Sequence, residues 1–471
     1  MIMSLKKAKK FLIRFVNKLS STQILIFGFL FLEILGSIFL WLPMANKYKI
    51  NFIDAFFTAT SALCVTGLTV KNTFLQFSLL GKIIIMCLLE IGGLGFMTII
   101  ASFFIFSGKK IGLKQRLIIQ ESLNQLNHKG VVVLVKNIFY WVLIIQGLSA
   151  LILAMRFMFY NKNFFWSIFL GVFHAISAFC NAGFDLIGAE SLSPFVGDIL
   201  INFIIMCLIF LGGIGYSVIA DFLYVFKELA YKKMSFKKKF DRLKLHSKLV
   251  IIINLVLIFF GSILFFVYEF DNKFTLGNLS LCKKILAALF ESVTTRTAGF
   301  FSIDQNKLKP CSKFLAIILM FIGGSPGSTA GGVKTTAFAV FIFAILSAIK
   351  GKKSIEIFDR SISFLILQRA LAIMALNFIA IIFSVELISF FYSEFDFLDI
   401  LFEITSAVGT VGLGLGISQK LSGWFKLLIC LDMIIGKLGP ISIAMVLIAR
   451  NDNKNMAEKL IKCPEEKIMV G

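Results

Sequence analysis

Four segments of this chain are versions of one another, and that repetition constrains its fold more than any other feature. They are Phe57–Leu68 (FTATSALCVTGL), Phe173–Phe184 (FHAISAFCNAGF), Phe290–Phe300 (FESVTTRTAGF) and Phe402–Leu413 (FEITSAVGTVGL). Each is rich in Ser and Thr and ends in a small residue, a glycine and an apolar residue; the third is one residue shorter between its Phe and its glycine. The glycines, Gly67, Gly183, Gly299 and Gly412, are 116, 116 and 113 residues apart. A second mark follows in step: Gly92-Gly-Leu-Gly95, Gly212-Gly-Ile-Gly215, Gly323-Gly-Ser-Pro-Gly327 and Gly436-Lys-Leu-Gly439, beginning 25, 29, 24 and 24 residues later. The approach to the first copy, Asn51-Phe-Ile-Asp54, matches that to the last, Asp396-Phe-Leu-Asp399. Two marks in register across four copies predict four structurally equivalent units.

The units are built for lipid. Hydrophobic residues make up 58% of the chain and charged residues 16%. The stretches Gln23–Leu42, Leu79–Ser107, Gly197–Phe226 and Leu427–Ala449 are nearly free of charge. Each has the roughly 20 residues needed to cross about 30 Å of hydrocarbon. Unbroken apolar runs of that length spell helix, since lipid leaves a backbone no other simple way to satisfy its polar groups. The net charge is +22, and 31 of the 48 Lys and Arg fall in Lys6–Lys18, Lys109–Lys136, Lys227–Lys248, Lys350–Arg369 and Arg450–Lys467. These clusters lie between apolar runs and alternate with connections poorer in cations, so they determine topology rather than form a nucleic-acid face. The positive-inside rule puts both termini and the basic loops in the cytoplasm; Lys307, Lys309 and Lys313 are the exception. No small-residue cleavage site follows Leu42, so the first apolar run is read as a membrane helix and not a secretory signal. The eight cysteines form no C-x-x-C pair and suit reduced packing residues, with Cys282 and Cys311 both able to face outward.

Each unit therefore reads as membrane helix, short helix, extended loop, membrane helix. The expected fold is an all-α membrane protein with eight spans, four re-entrant loops and parallel repeats around one central pore. The repeats are expected at 21–108, 131–228, 246–350 and 363–450, joined by cytoplasmic linkers at 109–130, 229–245 and 351–362. A cytoplasmic segment, 1–20, precedes them and a tail, 451–471, follows. Short helices of about 10 to 14 residues cannot span a bilayer, and irregular backbone at membrane depth is tolerated only against protein or water. The loops therefore imply an aqueous path. Small residues and glycine allow backbone carbonyls to aim inward, and rings of carbonyls can replace the water shed by a potassium ion. The helix C-terminus favours a cation at the same place. Candidate cation-filter residues are Val65, Thr66 and Gly67, then Asn181, Ala182 and Gly183, then Thr297, Ala298 and Gly299, and last Thr410, Val411 and Gly412. Each glycine alone also suits a helix C-cap, but a cap does not account for the repeated Ser/Thr segment before it.

On these loops and the interrupted helix of the third unit, the chain resembles the Ktr/Trk/HKT superfamily of potassium transporters from about Ser20 to Arg450. Within it the chain looks like the KtrB type, because its first repeat starts almost at once, unlike the longer TrkH. The resemblance implies uptake of K+ across the bacterial inner membrane, with no organic cofactor and no enzymatic step. In this superfamily a serine at the first filter position goes with sodium permeation; here that position is Gly67, which favours potassium. A sodium-permeable channel is the alternative, and Na+ stimulation is open. The resemblance also implies a homodimer resting on KtrA/TrkA-like nucleotide-binding regulatory subunits, with membrane lipid around it.

In the third unit Gly323, Gly324, Ser325, Gly327, Gly331, Gly332 and Lys334 fall within 323–336, with a proline among them. No regular helix survives that composition, and the resemblance implies an intramembrane gate loop beneath the filter. The run Gly327–Thr335 is not a phosphate-binding loop, because its lysine is one position late and apolar helices flank it. Lys437 lies inside the last apolar run, where a lysine costs about 2.5–3.5 kcal/mol. It is expected to face the gate loop, or else a buried acid such as Glu90 or Asp432. Glu291 and Glu403 read as support for the short helices, and His174 as packing. Arg296, beside the third loop, fits two roles: setting the field at the outer mouth or holding loop carbonyls in place.

Overall fold

A computed structural model describes residues 20–106, 112–123, 130–160, 162–188, 190–230, 236–352, 354–358, 360–442 and 444. The expected tail 451–471, the segment 1–20 apart from Ser20, the end of the fourth repeat and parts of the linkers, with His128, lie outside the described residues.

The same series of elements occurs four times. A long helix (Ser21–Trp41, Val131–Tyr160, Leu245–Glu269, Phe364–Phe391) leads to a short helix (Phe52–Leu63, Phe164–Phe179, Leu281–Thr294, Phe397–Gly409). An extended segment holding the repeated glycine comes next, and then a second, broken helix. The first long helix starts at a side-chain cap. Ser20 accepts from the Gln23 N–H while the Gln23 side chain accepts from Ser20 N–H, a reciprocal capping box. Asp198 likewise caps the second helix of unit two through the N–H groups of Leu200 and Ile201.

The second helix is interrupted in every unit, not in the third alone. Leu79–Leu94 and Phe96–Ser102 meet at 91°, and Ile199–Gly213 and Tyr216–Lys227 at 99°. The apolar runs Leu79–Ser107 and Gly197–Phe226 are therefore bent pairs rather than the continuous helices their composition suggests. Gly95 (φ 79°), Gly215 (φ 98°) and Gly439 (φ 82°) stand at the breaks in left-handed backbone, each the last glycine of its mark. In unit four the first part of the helix ends at Leu438, so Lys437 sits in the turn just before the break at Gly439. In unit three a loop from Ile322 to Lys334 separates Pro310–Phe321 from Thr335–Ile349, two residues shorter at its end than the expected 323–336.

The first glycine of the mark has a different task. A Cβ on Gly92, Gly212 or Gly436 would strike the carbonyl of Leu63, Phe179 or Val408, at the C-terminal end of the same unit's short helix. The glycines let the second helix lie directly against that end. Phe57, Phe173, Phe290 and Phe402, equivalent residues in the four copies, are all fully buried.

Large apolar side chains cover the outside: Phe27, Phe31, Leu148, Leu151, Phe259, Phe260, Phe378 and Phe383 are exposed. Ser and Thr of the repeated segments are buried: Thr60, Ser61, Ser177, Thr294, Thr405 and Ser406. This inverts the pattern of a water-soluble protein and suits lipid as the solvent. Among the described residues four helices are long and apolar enough to cross a membrane alone, and the two bent pairs raise the number to six. The linkers carry structure of their own. Leu113–Ser122 is helical, and Ile355–Ile357 pairs antiparallel with Arg360–Ile362 in a hairpin whose Ile357 packs against Leu249 and Ala339.

Candidate functional site

The twelve candidate filter residues come together in one ring. A Cβ on Gly67 would collide with the Ala182 carbonyl oxygen, and one on Gly183 would lie 2.8 Å from the Ala298 carbonyl oxygen. One on Gly299 would lie 2.6 Å from the Val411 carbonyl oxygen, and one on Gly412 would collide with the Thr66 carbonyl oxygen. Each glycine thus faces the residue before the glycine of the next unit, and the fourth unit closes on the first. No side chain fits between the strands.

The backbone alternates in hand. The glycines have φ of 100°, 66°, 80° and 96°, and two residues earlier Val65, Asn181, Thr297 and Thr410 have φ of 58°, 60°, 66° and 51°. In an ordinary extended strand successive carbonyls point to opposite sides. Reversing the hand at every second residue turns them toward one side. Holding a non-glycine residue left-handed costs about 1–2 kcal/mol, and three of these four are β-branched. Such outliers persist only where the surroundings impose them.

The imposing groups lie on the short helices, four residues after the repeated phenylalanine. Ser61 Oγ accepts from Gly67 N–H at 3.1 Å and Ser406 Oγ from Gly412 N–H at 3.0 Å. Ser177 donates to the Phe184 carbonyl at 2.7 Å, and Thr294 donates to that of Phe300. The carbonyls of the same four residues accept from Thr66, Ala182, Ala298 and Val411 N–H at 2.8–2.9 Å. Sequence reasoning noticed the Ser/Thr richness of these segments but missed this position, although a hydroxyl stands there in all four copies. Further out, both Glu403 oxygens accept N–H groups, from Leu415 and Ile417 on one and Ser418 on the other. Glu291 accepts from the Gln305 side chain, and His174 bonds the Leu170 carbonyl one turn back in its own helix.

A cavity of about 670 Å³ opens on one side of the ring and is lined by all four glycines together with Asp185, Glu190, Asp304 and Glu403. Sequence reasoning missed these acids apart from Glu403, because no repeat marks them. A second cavity of about 490 Å³ is lined by Gly92–Gly95, Gly436–Gly439, Gly327, Ala330, Gly332, Lys334 and Lys437.

The candidate gate residues are also gathered, between the ring and this second cavity. A Cβ on Gly331 would collide with the Thr410 side chain, and one on Gly332 would lie 3.0 Å from the Gly409 carbonyl. Unit two holds the loop through Ser325 N–H to Gly213 (3.0 Å), Thr329 N–H to Gly212 (3.2 Å) and Tyr216 N–H to the Gly327 carbonyl (2.9 Å). Gly324 N–H reaches the Gly331 carbonyl within the loop, and unit four adds the Gly436 carbonyl, which accepts from Gly332 N–H at 3.2 Å. Ser325 Oγ accepts from Thr335 and Asn254, and Lys334 donates to the Ala330 carbonyl at 2.8 Å.

Lys437 donates to the Thr329 carbonyl at 2.7 Å. It meets neither of the acids considered for it, since Glu90 takes Gln146 and Asp432 takes Ser384. Arg296 is buried and does not line the cavity that the four glycines share. Its guanidinium donates to the carbonyls of Ile322 (2.5 Å) and Gly323 (2.9 Å) and to Asn254 (3.0 Å). It therefore ties the third glycine strand to the start of the loop from Ile322 to Lys334, a link with no sequence signal beyond its place beside Thr297.

An apolar exterior around a polar ring defines a membrane-embedded transport protein. The family model for cation transport proteins, TrkH, matches residues 1–458, and the chain belongs to that family. It is 37% identical to the Ktr system potassium uptake protein B of Bacillus subtilis over the whole length of both chains. It is 36% identical to the potassium/sodium uptake protein NtpJ of Enterococcus hirae, over 97% of this chain and 98% of that one. The structure of the potassium transporter TrkH from Vibrio parahaemolyticus matches it with a TM-score of 0.69 at 18% identity, covering 93% of this chain and 86% of that one.

Proposed function

We propose that the chain conducts K+ into the cell through a filter of backbone carbonyls contributed once by each of four parallel repeats, with eight membrane spans around one pore. The closed ring of glycine strands in alternating backbone carries this reading. A cation without its water needs oxygens on several sides at once, and four strands that each offer carbonyls toward a common centre supply them. The acids of the outer cavity raise the local cation concentration. The membrane potential supplies the driving force: about 2.3 kcal/mol per charge at 100 mV, or nearly fifty-fold accumulation at about 1.4 kcal/mol per decade.

The loop from Ile322 to Lys334 is the gate. It is held beneath the filter by Arg296 and Lys437, and it moves when those bonds exchange. The repeats at 21–108, 131–228, 246–350 and 363–450 stand with both termini in the cytoplasm of a bacterial inner membrane. The protein works as a homodimer on nucleotide-binding regulatory subunits of the KtrA/TrkA kind. The name of the Enterococcus hirae relative favours a second reading, in which Na+ also permeates or stimulates uptake.

The test is uptake of rubidium, a potassium substitute, in a host unable to take up potassium. Growth rescue at low potassium with rubidium uptake supports the proposal. Rescue by sodium alone overturns it.

A further inference from the structure

One set of side chains recurs at fixed helix positions and crosses between units at three of the four junctions. The fourth residue of the second helix is Lys82, Asn202, Lys313 or Lys426 in units one to four. The third residue of the short helix is Asp54, Trp166, Lys283 or Asp399. Lys426 of unit four meets Asp54 of unit one at 2.7 Å, and Lys313 of unit three meets Asp399 of unit four at 2.6 Å. Lys82 of unit one lies 5.0 Å from the ring centre of Trp166 in unit two. At the remaining junction Asn202 turns back to its own unit's Phe195 and Asp198 carbonyls, and no lysine–carboxylate pair crosses there among the described residues.

The two ion pairs are not screened surface contacts. Lys426 and Asp54 are 12% and 8% exposed, and Lys313 and Asp399 are 11% and 28%. Each aspartate lies in the first turn of its short helix, where the helix dipole favours a negative charge. The other end of that helix carries the filter strand and its hydroxyl anchor. The junctions bridged by the pairs are the ones where Gly412 abuts Thr66 and Gly299 abuts Val411. A rigid helix pinned at its outer end to the preceding unit holds its inner end at a fixed distance from that unit's filter strand.

We infer that Asp54–Lys426 and Asp399–Lys313 are positioning pairs that set the spacing of the filter on two of its sides, and with it the discrimination between potassium and the smaller sodium ion. The inference rests on the filter reading. None of the four residues lines the outer cavity, so their effect differs from that of charge at the mouth. Loss of mouth charge weakens capture of both cations alike, whereas a loosened ring changes their ratio.

The experiment measures rubidium and sodium uptake by the full-length protein at matched membrane abundance. Lys426→Gln and Asp54→Asn are each expected to lower the rubidium-to-sodium ratio about tenfold, because each leaves a largely buried charge without its partner. Lys426→Arg keeps the ratio, and the exchanged pair Asp54→Lys with Lys426→Asp recovers most of it. Lys313→Gln and Lys313→Arg repeat the comparison at the second junction. An unchanged ratio in the neutral variants, or an exchanged pair no better than its single parts, overturns this inference alone. A wild-type protein that carries no rubidium overturns the filter reading and this inference with it.

Discussion

Gly67 is constrained twice, by a φ of 100° and by the Ala182 carbonyl where a side chain would begin. Gly67→Ser must either push that carbonyl aside or relax the strand toward ordinary backbone, and both remove an oxygen from the ring. The expected outcome is a rubidium-to-sodium uptake ratio lower by about tenfold or more, equivalent to about 1.4 kcal/mol. Sodium inhibition of rubidium uptake in a host lacking its own potassium systems checks it. Ser406 tests the support instead of the ring. Ser406→Ala leaves the partly buried Gly412 N–H without its acceptor, a loss of about 0.5–1.5 kcal/mol. Reduced thermal stability in detergent and weakened selectivity are expected together, while Ser406→Thr keeps both. The glycines and their neighbours were legible in the sequence because a backbone requirement repeated four times leaves a pattern. The left-handed Val65, Asn181, Thr297 and Thr410 were not, because four different side chains occupy one conformation.

The loop from Ile322 to Lys334, the proposed gate, is held on several sides: by Gly212 and Gly213 of unit two, by Arg296 of its own unit, and by Gly436 and Lys437 of unit four. Lys437 contributes a single charge-assisted bond, worth about 1.5–3 kcal/mol, at the carbonyl of Thr329. Its removal loosens the loop without touching the filter. Lys437→Ala is expected to raise the maximal rate of rubidium uptake several-fold and leave the half-saturating concentration unchanged; Lys437→Arg stays near wild type. Initial rates over a range of rubidium concentrations decide it, and unaltered rates would sink the gating role. The sequence announced this loop by its glycines and proline. It hid the bends at Gly95 and Gly215, because an apolar run reads as continuous whether or not one glycine turns it through a right angle. It also hid the bond between Arg296 and the loop, a contact between residues 26 and 27 positions apart.

For the whole molecule the proposed function sets a limit on what transport can do. The four glycine strands lie between a cavity lined by Asp185, Glu190, Asp304 and Glu403 and a second cavity lined by Lys334 and Lys437. If these form one passive path, it moves an ion down its electrochemical gradient and no further. In proteoliposomes carrying the wild-type chain, a potential of 100 mV, negative inside and set by a pH gradient with a protonophore, is therefore expected to concentrate rubidium about fifty-fold. The accumulation should scale exponentially with the imposed potential and vanish at zero, with no nucleotide hydrolysed. Accumulation beyond the electrical limit would require coupling to a second ion, and the ratio of excess accumulation to an imposed sodium gradient would measure that coupling. A passive filter predicts that a sodium gradient alone, at zero potential, drives no rubidium inward.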